Sequence, residues 1–360
     1  MKRTACIIAT LAILALAFNS CKQCNKPNGN DTSKTDTSGV PGLADVTAQI
    51  QKDSTNPLLW YKRAQLYDAN NDYKSAATDM FIALKLDSFN GAFYLYTADL
   101  FKKSGDAQRG ISLMEKAIST DSANTKFYVK AAELAYIDTG ISGNYELSLQ
   151  YLNQAIAINP QNADIYFFKG TVYKEKGDTA KAISSFQTAT ELNPKYYNAF
   201  VQIGLLLQEK KDKNAEKYFD NAIKVSEKPE DALYAKADIL KEQGVKLYDA
   251  NRLAEATDKL NMAVDAYKRV VEINYRNTEA YMGAAFCYYQ MDSVERAYEY
   301  YDKALKTAPT YAGAYFSKGL CAEDLGKTQE AIMLYENCLN IDPNFTRAKE
   351  HLRKLQSGAQ

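Results

Sequence analysis

The sequence predicts an all-α protein, a solenoid of eight helical hairpins, and three regularities support this prediction. From Pro57 onward the chain repeats with a period of 34 residues, which is clearest when residues 163–196 are compared with residues 278–311. Within a repeat, position 4 is large, position 8 is always Ala or Gly, and position 20 is always small. Proline closes four of the eight repeats at position 32.

Each repeat is predicted to form a helical hairpin. Positions 4, 8 and 11 share one face of a first helix, and positions 20, 24 and 27 share one face of a second helix. Small residues at positions 8 and 20 let the two backbones approach closely, and proline ends the unit because it cannot continue a helix interior. A lone hairpin cannot bury both faces, so consecutive hairpins must stack. The residues at position 8 are Ala64, Ala98, Ala132, Gly170, Gly204, Ala237, Ala285 and Gly319.

This pattern resembles the tetratricopeptide repeat, a 34-residue helix–turn–helix unit. The resemblance covers residues 57–345 and implies a right-handed superhelix whose concave surface is lined by the first helices. Departures are modest, since only Ala135 and Ala322 replace an aromatic residue expected at position 11 with alanine. The predicted units are 57–90, 91–124, 125–162, 163–196, 197–229, 230–277, 278–311 and 312–345.

Residues 1–20 are predicted to be an export signal. Two basic residues precede an apolar run, Ala5–Phe18, which is too short for a transmembrane helix and suits a signal peptide. Ser20 and Cys21 resemble the processing site of a bacterial lipoprotein, which implies a lipid on Cys21 as the mature N-terminus. Two alternatives remain: a simple cleaved secretory signal, and a C-x-x-C redox pair of Cys21 and Cys24. The redox pair is disfavoured because its flanking residues offer no helix N-terminus to depress a thiol pKa.

The regions that flank the repeats are predicted to be a tether and two caps. Residues 21–41 are rich in small polar residues and cannot bury enough apolar surface to fold, so we expect a flexible tether. Residues 42–56 are expected to hold an unpaired capping helix, and residues 346–360 a charged capping helix and tail. His351 lies on that last helix, where we expect it to be solvated.

Composition argues against several classes of function. Lys plus Arg number 44 and Asp plus Glu number 44, whereas nucleic-acid binding draws on an excess of basic residues. A single histidine leaves no Ser-His-Asp or Cys-His pair in the repeats and no multi-histidine metal site. We therefore expect no enzyme, no metal, no cofactor, no nucleic acid and no small-molecule substrate.

The thiols within the repeats are expected to be structural. Cys287 and Cys321 occupy position 10, which indicates buried core residues, because other units have Leu66, Leu100, Leu134 and Val172 at this position. A disulfide between Cys321 and Cys338 is the open alternative, because sequence alone does not test its geometry.

Positions 5 and 9 of the first helices are the candidate binding residues, because the repeat does not require them. In tetratricopeptide proteins this stripe lines the concave surface, where partners bind. Position 5 is apolar or aromatic in every unit, and position 9 changes from polar in the first four units to mostly apolar afterwards. The alternative is that position 5 packs between neighbouring first helices. The predicted groove consists of Tyr61, Phe167, Val201, Leu205, Tyr234, Met282, Phe286, Tyr289, Phe316 and Leu320, and its C-terminal half is the expected main surface.

The sixth unit, 230–277, is fourteen residues longer than the repeat. Seven extra residues per helix make nearly two turns at ~3.6 residues per turn, so the apolar stripes survive and the added length lies near Asn251. This predicts a hairpin that projects about 10 Å beyond its neighbours. The third unit also has extra residues, 139–142, at its turn, and insertions on one edge favour a second contact surface. The predicted edge is Tyr248, Asn251 and Arg252; a longer hairpin without a partner is the alternative.

The sequence therefore favours a non-enzymatic, membrane-anchored scaffold of the periplasm that binds a protein or an extended peptide in its groove. Lys22 follows Cys21, where aspartate acts as an inner-membrane retention signal, and no acidic run follows. The lipoprotein resemblance thus implies the outer membrane, facing the periplasm. Two alternatives remain, a glycan- or nutrient-capturing lipoprotein of an uptake system and a hydrolase or transferase. Long insertions that build a sugar site are missing, and residues 57–345 leave no room for a catalytic domain.

Overall fold

The computed structural model describes residues 40–137 and 144–358, and within these ranges the chain forms eighteen α-helices and no strand. The predicted all-α fold is confirmed. The helices are α1 Leu43–Lys52, α2 Pro57–Ala69, α3 Tyr73–Leu86, α4 Gly91–Lys103, α5 Ala107–Thr120, α6 Thr125–Ile137, α7 Tyr145–Ile158, α8 Ala163–Glu175, α9 Thr179–Leu192, α10 Tyr197–Glu209, α11 Ala215–Val225, α12 Glu230–Asp249, α13 Leu253–Ile273, α14 Thr278–Gln290, α15 Val294–Thr307, α16 Ala312–Asp324, α17 Thr328–Ile341 and α18 Thr346–Gly358.

Helices α2 to α17 form eight hairpins that stack in chain order. Each helix packs against the next one along the chain, within a hairpin and between hairpins. Helix α1 covers α2 at one end, and α18 covers α17 at the other end. The even-numbered helices from α2 to α16 are the first helices of units 1 to 8, and the odd-numbered helices from α3 to α17 are the second helices.

About half of the described helices begin at a side chain that caps the free backbone N–H groups of the first turn. An Asn or Asp oxygen accepts a hydrogen bond from an N–H two or three residues further on, as Asn277 does from Ala280 at 2.9 Å. In several hairpins both helices begin with a cap of this kind. The capping residues are Asn56, Asn90, Asn162 and Asn277 before first helices, and Asp72, Asp106, Asn144 and Asp178 before second helices.

The small residue at position 8 makes room for a large residue from the second helix of the same hairpin. A Cβ added to Gly204 would lie 2.6 Å from the ring of Phe219, and one added to Gly319 would lie 2.6 Å from the ring of Tyr335. Both rings are fully buried. The glycines therefore allow aromatic side chains to fill the space between the paired helices, which explains why position 8 tolerates no large residue.

The sixth hairpin is longer than its neighbours, as predicted. Helices α12 and α13 have 20 and 21 residues, whereas α14 and α15 have 13 and 14. Ala256 and Leu260 stay buried in the added part of α13, so the apolar stripe continues through the added turns. Asn251 adopts a left-handed conformation, φ 58°, at the tip. The additional residues 139–142 of the third unit lie outside the described residues.

The C-terminal helix corrects one expectation. His351 is not a freely solvated side chain, because its Nδ1 lies 2.9 Å from Oε2 of Glu323 on α16. Its ring packs against Phe316 and Tyr335, with ring centroids 5.7 and 5.5 Å away. The sequence-based expectation considered only the charged neighbours on α18 and missed this contact with the preceding unit.

The thiols of the repeats are core groups. Cys287, Cys321 and Cys338 are free and fully buried, so the expectation of core thiols is confirmed for Cys287 and Cys321. Burial raises the pKa of Cys287 and Cys321 to about 12, which keeps both thiols protonated at neutral pH. Cys21 and Cys24, and with them the export and lipid-anchor predictions, lie outside the described residues.

Candidate functional site

The first helices of neighbouring units lie side by side and form one surface. Helix α10 contacts α12, and α12 contacts α14, although a second helix separates each pair along the chain. Positions 5 and 9 of consecutive units are therefore brought together, although their first helices are not consecutive along the chain. We call the surface formed by positions 5, 9 and 12 of the first helices the groove.

The structure divides the predicted groove residues into core and surface. Val201 and Phe316 are buried, with 6% and 3% of their surface exposed, so both belong to the core. Val201 packs in a cluster with Phe219, and the ring of Phe316 lies 5.0 Å from that of Phe345. These two side chains therefore offer a partner little accessible surface.

The remaining groove residues keep some exposed surface. Leu205 is the most exposed of them, at 37%. Most aromatic residues at position 5 are half-buried against neighbouring rings, such as Phe167, which stacks on Tyr196 at 5.0 Å. Phe286 is half-buried too, and it belongs to none of the hydrophobic clusters formed by the described residues. The other half-buried residues of the predicted groove are Tyr61, Tyr234, Met282, Tyr289 and Leu320.

A cavity of about 490 Å³ opens in the groove between α10, α12 and α14. Its apolar lining comes from Val201 and Leu205 on α10 and from Tyr234 on α12. Three carboxylate residues, Glu230, Asp231 and Glu279, also line it. We call this the acid-rimmed cavity; its other lining residues are Gln202, Ala235 and Asn277.

The acid-rimmed cavity has a polar network beneath its tyrosine. Burial, together with the charges of Asp238 and Glu279, raises the pKa of Tyr234 to about 12. Asp238 itself accepts hydrogen bonds from the Tyr267 hydroxyl at 2.6 Å and from Lys241 at 2.5 Å. Lys241 is thus already paired with the carboxylate at position 9 of α12.

The N-terminal half of the groove is charged, and its lysines pair with its own carboxylates. Lys130 on α6 binds Asp99 on α4 at 2.8 Å and Glu133 on its own helix at 2.5 Å, and Lys102 also pairs with Glu133. Burial alone would lower the pKa of Lys130, but the two hydrogen bonds raise it above its ordinary value. The carboxylates at position 9 in units 2 and 3, Asp99 and Glu133, therefore stabilise contacts between neighbouring first helices.

The predicted second edge is exposed at the tip of the sixth hairpin. Tyr248 has 47% of its surface exposed, and Arg252 forms an ion pair with Glu255 at 2.5 Å. Because α12 extends past its neighbour, it forms one wall of a cleft of about 230 Å³ whose other wall includes Lys211 in the turn of unit 5. The sequence predicted the projection and missed this cleft, which depends on the shorter turn beside it.

The described residues, 40–137 and 144–358, contain neither a metal-binding cluster nor a membrane-spanning helix. No group of three or more His, Cys, Asp or Glu residues in this part of the chain is placed to hold a metal ion. No helix within the same ranges is long and apolar enough to cross a membrane.

Models of known families match most of the repeats. Two models described as tetratricopeptide repeats match residues 61–125 and 163–196, and one described as TPR repeat matches residues 141–177. The chain carries tetratricopeptide repeats. A model described as anaphase-promoting complex, cyclosome, subunit 3 matches residues 256–338 of this tetratricopeptide solenoid.

Similar proteins share only part of their length with this chain. A TPR repeat-containing protein of Methanocaldococcus jannaschii is 24% identical over 46% of this chain and 36% of its own length. The Hsp70-Hsp90 organizing protein of Triticum aestivum is 21% identical over 59% of this chain and 40% of its own length. The probable UDP-N-acetylglucosamine–peptide N-acetylglucosaminyltransferase SPINDLY of Solanum lycopersicum is 32% identical over 29% of this chain, which is 12% of the relative. The chain spans less than half of each relative.

A solved structure supports the tetratricopeptide fold over most of the chain. The C-terminal part of a TPR repeat-containing protein from Cytophaga hutchinsonii has a TM-score of 0.57 and 18% identity, and it covers 72% of this chain and 99% of its own. At this level of identity the likeness concerns the fold alone. Tetratricopeptide solenoids are typically non-catalytic scaffolds that bind proteins or peptides.

Proposed function

We propose that this protein is a non-enzymatic scaffold that binds a protein partner, or an extended segment of one, in the C-terminal half of its groove. The acid-rimmed cavity carries this proposal. It keeps apolar surface of Leu205 open to solvent although the solenoid needs no exposed leucine there. A cavity of about 490 Å³ has the size of sites that bind side chains or small ligands.

The two halves of the groove differ in what they offer a partner. In units 2 and 3 the charged side chains pair across the first helices, so a partner would have to break existing ion pairs. In units 5 to 7 the cavity is open and apolar at its base. The proposed binding surface is therefore the C-terminal half, with Leu205, Tyr234 and Phe286 as the accessible residues.

We also propose that the protein is held at the periplasmic side of the outer membrane by a lipid on Cys21. The support is the apolar run followed by Ser20 and Cys21, with Lys22 next to the cysteine. In this proposal residues 21–41 act as a tether of about 20 residues, for which a root-mean-square reach of about 25 Å would give the solenoid room to meet a partner.

The tip of the sixth hairpin is the second contact surface in this proposal. Its support is the exposed Tyr248 and the cleft beside Lys211, both of which exist because α12 and α13 are two turns longer than their neighbours.

Site-specific photo-crosslinking tests the groove. A photo-reactive amino acid replaces Leu205 in the full chain, and its matched control replaces Met333, which is 62% exposed on the second helix α17. We expect irradiation of intact cells to give a discrete protein adduct only from position 205. Phe286→Asp in the same chain should remove this adduct while the helical circular-dichroism signal stays unchanged. Equal adducts from both positions, or loss of helicity in Phe286→Asp, would contradict the assignment of the groove.

A further inference from the structure

The acid-rimmed cavity carries an uncompensated negative charge. Three of its nine lining residues, Glu230, Asp231 and Glu279, are acidic, and none is Lys or Arg. Among the ion pairs of the described residues, none involves these three carboxylates. The N-terminal half of the groove is different, because Asp68, Asp99 and Glu133 are each paired with a lysine there.

One of the three carboxylates is held in place by the protein. Oε1 of Glu230 accepts hydrogen bonds from the side-chain amides of Asn274 at 2.8 Å and Asn277 at 3.0 Å. These bonds fix the orientation of the carboxylate, and neither partner neutralises its charge. A positioned carboxylate loses little side-chain entropy when a cation binds to it, which favours a charge-assisted hydrogen bond.

Helix stability explains the presence of these acidic residues only in part. All three lie in the first turn of α12 or α14, where a negative charge interacts favourably with the helix dipole. Acidic side chains that point away from the groove would interact with the helix dipole equally well. The dipole therefore does not account for three carboxylates around one opening that is also lined by Val201 and Leu205.

The apolar and the acidic lining residues together fit a pair of side chains, one apolar and one basic. Leu205 and Tyr234 offer apolar surface to a hydrophobic side chain or to the methylene stem of Lys or Arg. The carboxylates lie around the same opening and attract the charged end of that stem. An acidic segment would be repelled, and a purely apolar segment would leave the carboxylates without a cationic partner.

We infer that the acid-rimmed cavity selects, in the partner protein, an extended segment in which a basic residue neighbours an apolar one. This inference deepens the proposed function and rests on it. The acidic residues supply the selectivity and Leu205 supplies the apolar contact, so the two contributions can be removed separately.

Four labelled nine-residue peptides test the inference by fluorescence polarisation with the full chain. They alternate Leu with Lys, Leu with Gln, Leu with Glu, and Ser with Lys. We expect the Leu/Lys peptide to bind about tenfold more tightly than the Leu/Gln peptide at low salt, equivalent to about 1.4 kcal/mol. The preference should shrink as salt is raised, since exposed charges are screened.

Matched variants connect that preference to the cavity. The triple variant Glu230→Gln, Asp231→Asn, Glu279→Gln should bind the Leu/Lys and Leu/Gln peptides equally. The control removes the same number of charges from exposed positions on second helices and should keep the tenfold preference; it is Glu272→Gln, Glu295→Gln, Glu299→Gln.

The outcomes separate this inference from the proposed function. Equal binding of the Leu/Lys and Leu/Gln peptides to the wild type, with both lost in Leu205→Asp, would overturn the charge selectivity and leave the groove as a binding surface. Equal binding of Ser/Lys and Leu/Lys would show mere charge attraction and overturn the inference, as would a preference retained in the triple variant. No binding of any peptide would contradict both proposals.

Discussion

Gly204→Ala tests the close contact between the two helices of the fifth hairpin. A Cβ at this position would lie 2.6, 2.8 and 2.9 Å from three ring carbons of Phe219. Ordinary carbon–carbon contacts are ~3.5–4.0 Å, so the ring must move by about 1 Å although Phe219 is fully buried. Such overpacking costs about 1–3 kcal/mol, and the better helix propensity of alanine returns about 1 kcal/mol. We expect a net loss of about 1 kcal/mol in the free energy of unfolding.

The sign of this effect should reverse when the ring is removed. The first unit pairs Ala64 at position 8 with Met80 at position 24, so the repeat already accepts alanine opposite methionine. In a Phe219→Met background, Gly204→Ala should therefore stabilise the protein, by up to about 1 kcal/mol. Urea unfolding followed by circular dichroism on the four proteins gives the coupling energy of the cycle. If Gly204→Ala changes stability with the same sign in both backgrounds, the steric explanation is wrong.

Three further predictions concern the anchor, the edge and the groove. The Cys21→Ser variant should leave the membrane fraction, and mass spectrometry should find an acyl group on the wild type only. The lipid anchor would be contradicted if the variant stays membrane-bound and the wild type carries no acyl group. Excising 245–251 together with 254–260 should give a folded unit of ordinary length, because Gly244 then occupies the turn position where other hairpins have a left-handed residue. If this deletion variant folds and keeps every interaction of the wild type, the edge has no role. The pKa of Tyr234, raised to about 12 by burial and two nearby carboxylates, exceeds its unfolded value, so its stabilising contribution is present below pH ~10 and is lost as the pH rises toward 12. The unfolding free energy of the wild type should therefore fall more steeply over this range than that of Tyr234→Phe, and parallel curves would refute the assignment.

Much of the fold could be predicted from the sequence because each part of it repeats. Small residues at positions 8 and 20 recur in every unit, so a chance match is improbable, and the fourteen added residues of unit 6 preserve the helical period. The Asn or Asp caps were also visible in the sequence, since Asn56, Asn90 and Asn277 directly precede first helices. Such a capping residue marks the start of a helix, and this signal is independent of the 34-residue repeat pattern.

The candidate site was only partly predictable, because it depends on contacts between helices that are not consecutive. Val201 at position 5 and Leu205 at position 9 both lie on the predicted groove stripe. Leu205 is nevertheless exposed, whereas Val201 is buried in the cluster around Phe219. The carboxylates of Glu230 and Glu279 were missed, since positions 1 and 2 belong to no stripe of the repeat. An acidic residue at position 2 in both unit 6 and unit 7 was the available signal.

Unit 6 is where this solenoid departs most from a regular repeat, and both proposed surfaces contain its first helix. Helix α12 contributes Glu230 and Tyr234 to the acid-rimmed cavity at its N-terminal end. At its other end it contributes Glu242 and Lys246 to the cleft beside unit 5. Lys246 lies sixteen positions after Glu230, which is about 24 Å along the helix at ~1.5 Å per residue, so a partner that contacts both ends must reach that far. About eight extended residues cover this distance at ~3.3 Å each. One short segment, anchored by a basic side chain in the cavity, is therefore long enough to reach the projecting hairpin as well.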